Sequence, residues 1–265
     1  MDIIKKLAEE LNIGRHQAEA AVKLIDEGNT IPFIARYRKE ATGSLDDEVL
    51  RNLDERLKYL RNLEERKNQV IASIAEQEKL TPELERSIRD AQTLVAVEDL
   101  YRPYKPKRRT RAMIAKEKGL EPLADLISMQ MVKEPLLQAA AAYISQEKGV
   151  ETAEDAIQGA KDILAERISD NAEYRTYIRN ATMNKGVVQS SAKDEKAQSV
   201  YEMYYNYEEP VKKCAGHRIL ALNRGENEKI LTVKIAAPED QILMYLEKQT
   251  IVRDNPHTTP VLKEA

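Results

Sequence analysis

The chain has 265 residues, and its 42 Lys and Arg against 45 Asp and Glu leave a formal net charge of −3 at pH 7. This slightly acidic balance excludes a protein that coats nucleic acid over its whole surface, and leaves only binding through a local patch. The single cysteine, Cys214, excludes an intramolecular disulfide framework and indicates a reducing compartment. Because there is no apolar run of membrane-spanning length and no signal-peptide pattern, we expect a soluble cytoplasmic protein or a fragment of one.

Two short amphipathic helices are predicted at the start of the chain. Apolar residues recur at helical spacing from Ile3 to Leu11 and again from Ala18 to Gly28, with a break at 12–14. Two helices joined by a tight turn that contains Gly are compatible with a helix-turn-helix. We expect simple packing rather than DNA reading, because the second helix offers few cations for a recognition surface.

A small basic cluster follows these helices. Phe33 and Ile34 are predicted to anchor the segment against the core, which leaves Arg36, Arg38 and Lys39 as a candidate contact for phosphates.

One long helix is predicted from Leu45 to about Glu78. At 1.5 Å per residue it would run about 50 Å. Ser44 is expected to cap it, with the acids at 46–48 complementing the helix dipole rather than holding a metal. The leucines begin in heptad spacing, but the phase slips at Leu63, which favours a packed helix over a two-stranded coiled coil.

Further helices are predicted through the middle of the chain. Thr81 and Pro82 are expected to start a helix that reaches the apolar stretch at 94–97. The remaining predicted helices start at Pro122, at Pro135, at Thr152 (to about Ile168) and at Asn171 (to about Met183).

Residues 101–111 are predicted to form a strongly basic loop. From Asp99 to Lys118 the sequence has eight cations and two acids, a local balance of +6. Pro103 and Pro106 hold the backbone extended and remove N–H donors, so a stiff loop is favoured over a helix face. The cations suit phosphate contact and the tyrosines suit base stacking, or the cations pair with acids elsewhere in the fold. The candidate nucleic-acid-binding residues here are Arg102, Lys105, Lys107, Arg108, Arg109 and Arg111, with Tyr101 and Tyr104.

The last part of the chain is predicted to be more irregular. Residues 184–199 are polar and are expected to form a mobile linker. Tyr201, Tyr204 and Tyr205 could stack on bases, but their helical spacing favours packing in a core. The segments 218–224 and 229–235 flank Gly225 in the manner of a β-hairpin over 218–235. A final helix is predicted after Pro238 to about Gln249, followed by a loose end at 255–260.

Catalytic and cofactor-binding constellations are missing from the sequence. The three histidines, His16, His217 and His257, lie far apart, and Cys214 with His217 makes only half a metal site. There is no Walker loop, dinucleotide fingerprint or nucleophile elbow. We therefore expect no enzyme, no cofactor and no metal; a nuclease site formed by carboxylates that converge on Mg²⁺ is a weaker alternative.

Several segments, taken together, resemble the bacterial Tex family of transcription accessory proteins. Two of them are Thr30–Leu45 and Glu98–Arg111, and the second continues into Ile114–Ala124. Gly159–Ile168 and His217–Glu226 resemble later blocks of the family. The segments occur in the family's order and spacing across nearly the whole chain, so the resemblance is highly specific.

The resemblance implies that the chain is part of a longer protein. Members of the family continue into an RNase-H-like (YqgF) domain, helix-hairpin-helix motifs and a C-terminal OB-fold RNA-binding domain. They are related to a eukaryotic transcription elongation factor that is also a histone chaperone. The resemblance implies nucleic-acid binding without catalysis, carried mostly by the OB-fold. Cys214 departs from the family pattern, where an aliphatic residue is expected.

We therefore expect a mainly α, multi-helical protein with a helix-turn-helix-like start, one long helix and a small β-hairpin. Residues 1–80 are predicted to form an N-terminal Tex-like domain, and residues 81–265 a helical central region. Two functions remain open. The chain contributes sequence-independent contacts to RNA or DNA, with strongly salt-dependent affinity, or it is a helical scaffold that docks a protein partner such as the transcription machinery.

Overall fold

The computed structural model describes residues 2–265 and confirms that the protein is mainly α-helical. Within these residues, fourteen α-helices and three short strands form two compact units. Unit 1 ends at Tyr104, and unit 2 spans Lys105–Ala265. The division at residues 80 and 81 that we expect from the sequence is a different one and stays a prediction.

Unit 1 is built along one long helix. Its helices are α1 (Ile3–Leu11), α2 (Arg15–Asp26), α3 (Ile31–Tyr37), α4 (Asp47–Glu76), α5 (Pro82–Asp90) and α6 (Leu94–Tyr101). The bounds of α4 confirm the predicted long helix. Leu50 and Leu57 are buried where α1, α2 and α3 pack on one half of α4, and Leu63 and Val70 are buried where α5 and α6 pack on the other.

The start of α4 differs from the prediction that Ser44 caps it. Ser44 has a φ of +65°, and its N–H donates to the Lys39 carbonyl at 2.7 Å. The cap is Asp46, whose Oδ1 accepts from the Val49 N–H at 2.8 Å. A carboxylate at this position both satisfies an unpaired N–H and complements the helix dipole.

The helix predicted from Thr81 is two helices. α5 ends at Asp90, and Thr93 caps α6 with its Oγ1, which accepts from the Ala96 N–H at 3.2 Å. The break allows Ile88 of α5 and Val97 of α6 to be buried in the same cluster beside α4.

Unit 2 combines a helical part with a three-stranded sheet. Its elements are α7 (Arg111–Glu117), α8 (Glu121–Met129), α9 (Leu136–Ala141), α10 (Ala153–Asp170), α11 (Ala172–Lys185), β1 (Val187–Ala192), β2 (Asn206–Pro210), α12 (Gly216–Asn227), β3 (Leu231–Ala236), α13 (Glu239–Thr250) and α14 (Thr259–Glu264). α10 is the centre of the helical part, since α7, α8 and α9 all pack on it. Close packing there depends on Gly159, because a Cβ at this position would lie 2.4 Å from Leu120 Cδ1.

The four helices predicted between Pro122 and Met183 correspond to α8, α9, α10 and α11. Thr152 caps α10, as its position before the apolar period suggests, and its Oγ1 accepts from the Asp155 N–H at 3.1 Å. None of the helices in residues 2–265 is long and apolar enough to cross a membrane.

The β-hairpin predicted over residues 218–235 is wrong in its first half. The first predicted strand is the helix α12, and only the second is a strand, β3. Leu and Ala in the run at 219–222 are good helix formers, and so short an apolar run does not distinguish strand from helix. Gly225 forms no turn. It is buried within α12, where a Cβ would lie 2.6 Å from Leu231 Cδ1.

The mobile linker predicted over residues 184–199 is also wrong, because it contains the central strand of the sheet. The strand order is β2-β1-β3, and both pairings of β1 are antiparallel. Val188 and Ser190 of β1 are buried, and Ser190 Oγ donates to the Tyr204 carbonyl at 2.6 Å. Pairing on both edges stabilises a strand whose low apolar content looks like a linker.

The tyrosines near β2 pack as predicted. Tyr201 and Tyr204 are buried in the core beneath the sheet, and Tyr205 is half-buried against it. The Tyr201 hydroxyl donates to Glu228 Oε1 at 2.9 Å, so the buried phenol keeps a hydrogen-bond partner.

The end of the chain is ordered rather than loose. Asn255 is buried, and its Nδ2 donates to the carbonyls of Gln130 at 3.2 Å and Val132 at 2.9 Å. The next residues form α14, whose Leu262 joins the core around α10. The Pro and Thr content of this segment favours a loose end when the sequence is read alone. The carbonyls that anchor Asn255 lie more than 120 residues earlier, so the local sequence does not reveal them.

Candidate functional site

The three cations Arg36, Arg38 and Lys39, called the α3 cluster below, lie at the C-terminal end of α3. Ile34 is fully buried and fixes which side of α3 faces the core. All three cations are exposed, and within residues 2–265 their side chains form no ion pair and no hydrogen bond. The helix dipole favours cations at this end. Their N–H donors nevertheless remain available to a ligand.

The segment that follows α3 is held in place from α2. Gln17 Nε2 donates to the carbonyls of Thr42 at 3.2 Å and Gly43 at 3.0 Å. Its Oε1 accepts from the Gly14 N–H at 2.9 Å. Thr42 is buried, and its Oγ1 donates to the Arg38 carbonyl at 3.2 Å. These bonds restrict the backbone that carries the α3 cluster.

Phe33 is not the core anchor that the sequence predicts. It is 37% exposed, and Tyr37, four residues later on the same side of α3, is 67% exposed. The two ring centroids lie 5.3 Å apart with their planes tilted by 47°, and the Arg38 guanidinium carbon lies 5.6 Å from the Phe33 centroid. Ile34 and Ala35 pack on the core instead, because helical spacing separates them from positions 33 and 37.

In unit 2 the part of the basic loop from Lys107 to Arg111 lies against α10. Lys107 is 22% exposed, and its Nζ lies 3.3 Å from Glu166 Oε1 and donates to Asp170 Oδ2. Glu166 also accepts from Thr110 Oγ1 at 3.0 Å. Lys107 therefore ties the loop to the helix. Moving it to a phosphate would take the nearest cation from two mostly buried carboxylates, although Lys116 Nζ would still lie 3.7 Å from Glu166 Oε2.

The acids that face the loop form one stripe on α10. Asp162, Glu166 and Asp170 are spaced by four residues, which places them on the same face of the helix. Arg111 lies 3.9 Å from Asp162 Oδ1 with its side chain 85% exposed. The stripe thus faces cations of the loop along its length, and only the pairing with Lys107 is mostly buried.

Arg109 and Arg108 are more accessible than Lys107. Arg109 Nη2 lies 3.0 Å from Glu117 Oε2, with the Arg109 side chain 70% exposed. Exposed pairs of this kind contribute about 0–1 kcal/mol, so a phosphate can displace the acid. Arg108 is exposed and has no ion pair or hydrogen bond within the part of the chain that the structure describes.

The other predicted site residues are less suited to binding. Tyr101 is buried in unit 1, with its hydroxyl 2.9 Å from Ser73 Oγ, so the stacking role predicted for it is incompatible with its burial. Tyr104 is half-buried at the edge of the same cluster. Arg102 and Lys105 are exposed but already have interaction partners.

A second polar cluster surrounds Glu209 in unit 2. Glu209 accepts from the Tyr207 hydroxyl and from Arg218, and the bond from Tyr207 holds the pKa of the carboxyl below its usual range. Burial raises the pKa of the neighbouring Cys214 thiol, which disfavours the reactive thiolate. Cys214 and His217 gain no further ligand, since residues 2–265 contain no group of three His, Cys, Asp or Glu that could hold a metal.

Two family models match separate segments of the chain. Residues 1–75 match the family model of the Tex-like protein N-terminal domain, and residues 133–256 match that of the Tex central region. The chain therefore belongs to the Tex family.

Relatives from bacteria and animals cover most of the chain. It is 49% identical over 98% of its length to YdcI of Bacillus subtilis, and 46% identical over 90% of its length to Protein tex of Bordetella pertussis. It is 31% identical over 88% of its length to S1 RNA-binding domain-containing protein 1 of Homo sapiens. The chain spans 37%, 30% and 24% of the lengths of these three proteins.

Sequence reasoning overlooked Tyr37 and misplaced Phe33. The signal was present in the spacing, because residues four apart share a helix face while Ile34 and Ala35 belong to another. A helix of seven residues makes only about two turns, so its apolar face is hard to assign without knowing what it packs against.

Proposed function

We propose that this chain acts in transcription by making non-catalytic, sequence-independent contacts with RNA or DNA. The observation that carries the proposal is the α3 cluster, three exposed cations without acidic partners on a chain of net charge −3. Guanidinium and ammonium groups with free donors recognise phosphate oxygens. The names of relatives support the same role, since one is a transcriptional accessory protein Tex and another is named for an S1 RNA-binding domain.

The basic loop supplies a second set of contacts in this proposal. Arg108, Arg109 and Arg111 are exposed, and the two of them that face acids do so in weak surface pairs. Lys107 has a structural role in this proposal, because it pairs with Glu166 and Asp170 of the stripe on α10. Sequence independence follows from the nature of these groups, since phosphate contacts carry no information on the bases.

A helical scaffold that docks a protein of the transcription machinery is the second candidate. The pairing of Lys107 with Glu166 and Asp170 favours the scaffold, because a loop cation that pairs within the chain stabilises the fold rather than binding a phosphate. In this case the affinity for nucleic acid is negligible, and removing exposed cations has no effect on it.

Fluorescence anisotropy across a salt series separates the two candidates. The probes are labelled single-stranded RNA and duplex DNA. The two test variants replace three cations each: Arg36→Ala, Arg38→Ala and Lys39→Ala in one, and Arg108→Ala, Arg109→Ala and Arg111→Ala in the other. We expect the slope of log affinity against log salt to fall by about 2 to 3 in each, since each phosphate contact contributes about 0.7 to 0.9.

A matched control removes the same charge from cations outside the α3 cluster and the basic loop. Exposed cations of α4 and α5 pair with an acid one turn earlier, and the control variant carries Arg51→Ala, Lys58→Ala and Arg89→Ala. We expect its salt slope to equal that of the wild type. The proposal fails if no probe binds at low salt, or if the control weakens binding as much as the test variants do.

A further inference from the structure

We infer that α3 binds the unpaired bases of a single strand, with Tyr37 and Phe33 as a stacking platform and the α3 cluster on the adjacent phosphates. The inference rests on the proposed function. It narrows the partner from nucleic acid in general to single-stranded RNA or DNA, which share unstacked bases on a phosphate backbone.

The first observation is where the exposed aromatic rings are. The chain has 12 tyrosines and one phenylalanine, and within residues 2–265 only Phe33 and Tyr37 are exposed. Every other ring in that range is buried or half-buried. These two exposed rings lie one helical turn apart, on the same side of α3.

The second observation is the geometry of the rings. Because the planes are tilted by 47° at a centroid distance of 5.3 Å, the rings do not cover each other face to face. Arg38 lies over the Phe33 ring, so a planar guanidinium extends the platform on that side. Tyr37, the more exposed ring, has the open face on which a base can stack.

The charge around the rings identifies the occupant. Arg36 and Arg38 flank Tyr37 in sequence and Lys39 follows; all three are exposed and have no ion pair or hydrogen bond within residues 2–265. Aromatic faces beside a track of cations are how proteins hold single strands, through stacking and phosphate contact together. A duplex offers the phosphates but keeps its bases stacked inside, so it would engage the cations without the rings. An acidic protein segment would also engage the cations, but it has no bases to stack on the rings.

The platform is ordered before any ligand arrives. Gln17 and the buried Thr42 hold the backbone just after α3, and Ile34 holds α3 to the core. A ligand therefore does not have to order this backbone, which lowers the entropic cost of binding.

Substitutions at Tyr37 test the stacking directly. The variants are Tyr37→Ala and Tyr37→Leu, which remove the ring, and Tyr37→Phe, which keeps it. We expect the first two to weaken binding of oligo-U RNA and oligo-dT DNA by about fivefold or more, and Tyr37→Phe to bind as the wild type does. Duplex affinity should be equal in all of them. Leu220→Ala, at an exposed position of α12 in unit 2, is the control for loss of exposed apolar surface.

A fluorescent reporter tests contact rather than affinity. The chain has no tryptophan, so Tyr37→Trp places a single indole on the platform. Stacking of a base on an indole quenches its emission. We expect single strands to quench Tyr37→Trp over the same concentrations that saturate the anisotropy, and duplex DNA to leave it unquenched. Leu220→Trp, the matched control, should respond to neither.

The outcomes distinguish this inference from the proposed function. If nucleic acid binds but Tyr37→Ala and Tyr37→Leu bind single strands as the wild type does, the platform is refuted and the phosphate contacts remain. If Tyr37→Trp binds single strands without quenching, the platform is refuted as well. If neither single strands nor duplex DNA bind at low salt, both this inference and the proposed function are refuted.

Discussion

The basic loop has more cations than the α3 cluster, but more of its cations already face acids of the protein. The loop has six cations in residues 102–111, whereas the α3 cluster has three. Yet in unit 2 the loop faces acids of α7 and α10, while within residues 2–265 the α3 cluster faces none. Charge density along a sequence therefore does not measure how much charge is available to a ligand.

The difference arises from the neighbours of each segment. Asp162, Glu166 and Asp170 form a stripe on α10 because they are spaced by four residues. They lie about 50 residues or more after the loop in sequence. In unit 1 two arginines of α4 pair with acids of α1 and α2: Arg56 with Glu10, and Arg61 with Asp26. Asp46, an acid near α3 in sequence, caps α4 instead.

The largest effect should come from breaking the pairing of the loop. Lys107→Ala is expected to lower the free energy of unfolding by about 2 kcal/mol or more, because Glu166 and Asp170 lose a mostly buried cation. Arg108→Ala, next to it, should change the free energy by less than about 0.5 kcal/mol. Urea unfolding followed by circular dichroism measures both. Equal free energies of unfolding in the two variants would show that the pairing of Lys107 does not stabilise the fold.

A smaller effect is expected from loosening the support of the α3 cluster. Gln17→Ala removes the donor to the Thr42 and Gly43 carbonyls and should lower the free energy of unfolding by about 1 to 2 kcal/mol. It should also speed hydrogen exchange of the Ser44 N–H, which donates to the Lys39 carbonyl. The triple variant of the α3 cluster is the reference and should keep wild-type exchange. Unchanged exchange in Gln17→Ala would mean that the turn is held by other bonds.

The pH dependence of stability should come from paired carboxylates of unit 1. The hydrogen bond from Arg56 lowers the pKa of Glu10, and the one from Arg61 lowers the pKa of Asp26. A carboxyl with a lowered pKa in the folded state stabilises the fold above its unfolded pKa. This stabilisation is lost below about pH 5, as the pH falls through the folded pKa. Each exposed pair contributes less than about 1 kcal/mol.

Urea midpoints between pH 3 and pH 7, about the range over which such carboxyls titrate, measure this effect. Glu10→Gln should be less stable than the wild type at neutral pH and less sensitive to acid. The triple variant of the α3 cluster should keep the wild-type pH profile, because no described carboxylate pairs with it. A flattened profile in that variant would reveal an acidic partner for the cluster.

The smallest effect should come from releasing one loop cation. Asp162→Asn removes the carboxylate whose Oδ1 lies 3.9 Å from Arg111 Nε. It should raise the affinity for nucleic acid by about twofold and leave the free energy of unfolding unchanged. Asp54→Asn makes the same change of charge in unit 1, where Lys58 is the partner. In anisotropy, the affinity of this control should rise only by the small amount that the change in net charge causes. Equal gains would mean that Arg111 does not contact the probe.

The sequence by itself determined the family of the chain and those helices whose apolar residues repeat regularly at helical spacing. The long helix α4 and the pair α10 and α11 follow from apolar spacing, because the hydrogen bonds of a helix join residues four apart and leave a local signal. The Tex family followed from blocks of residues in a fixed order. The candidate cations were also visible as local runs.

Tertiary structure alone decided which of these features serve the fold and which face solvent. β1 is a strand because partners more than a dozen residues away pair with both of its edges, and α12 is a helix whose Gly225 fits against Leu231. Lys107 is neutralised by Asp170, 63 residues further along the chain, while the rings of Phe33 and Tyr37 lie away from the core. Pairing and burial depend on contacts between distant residues, and no local period encodes them.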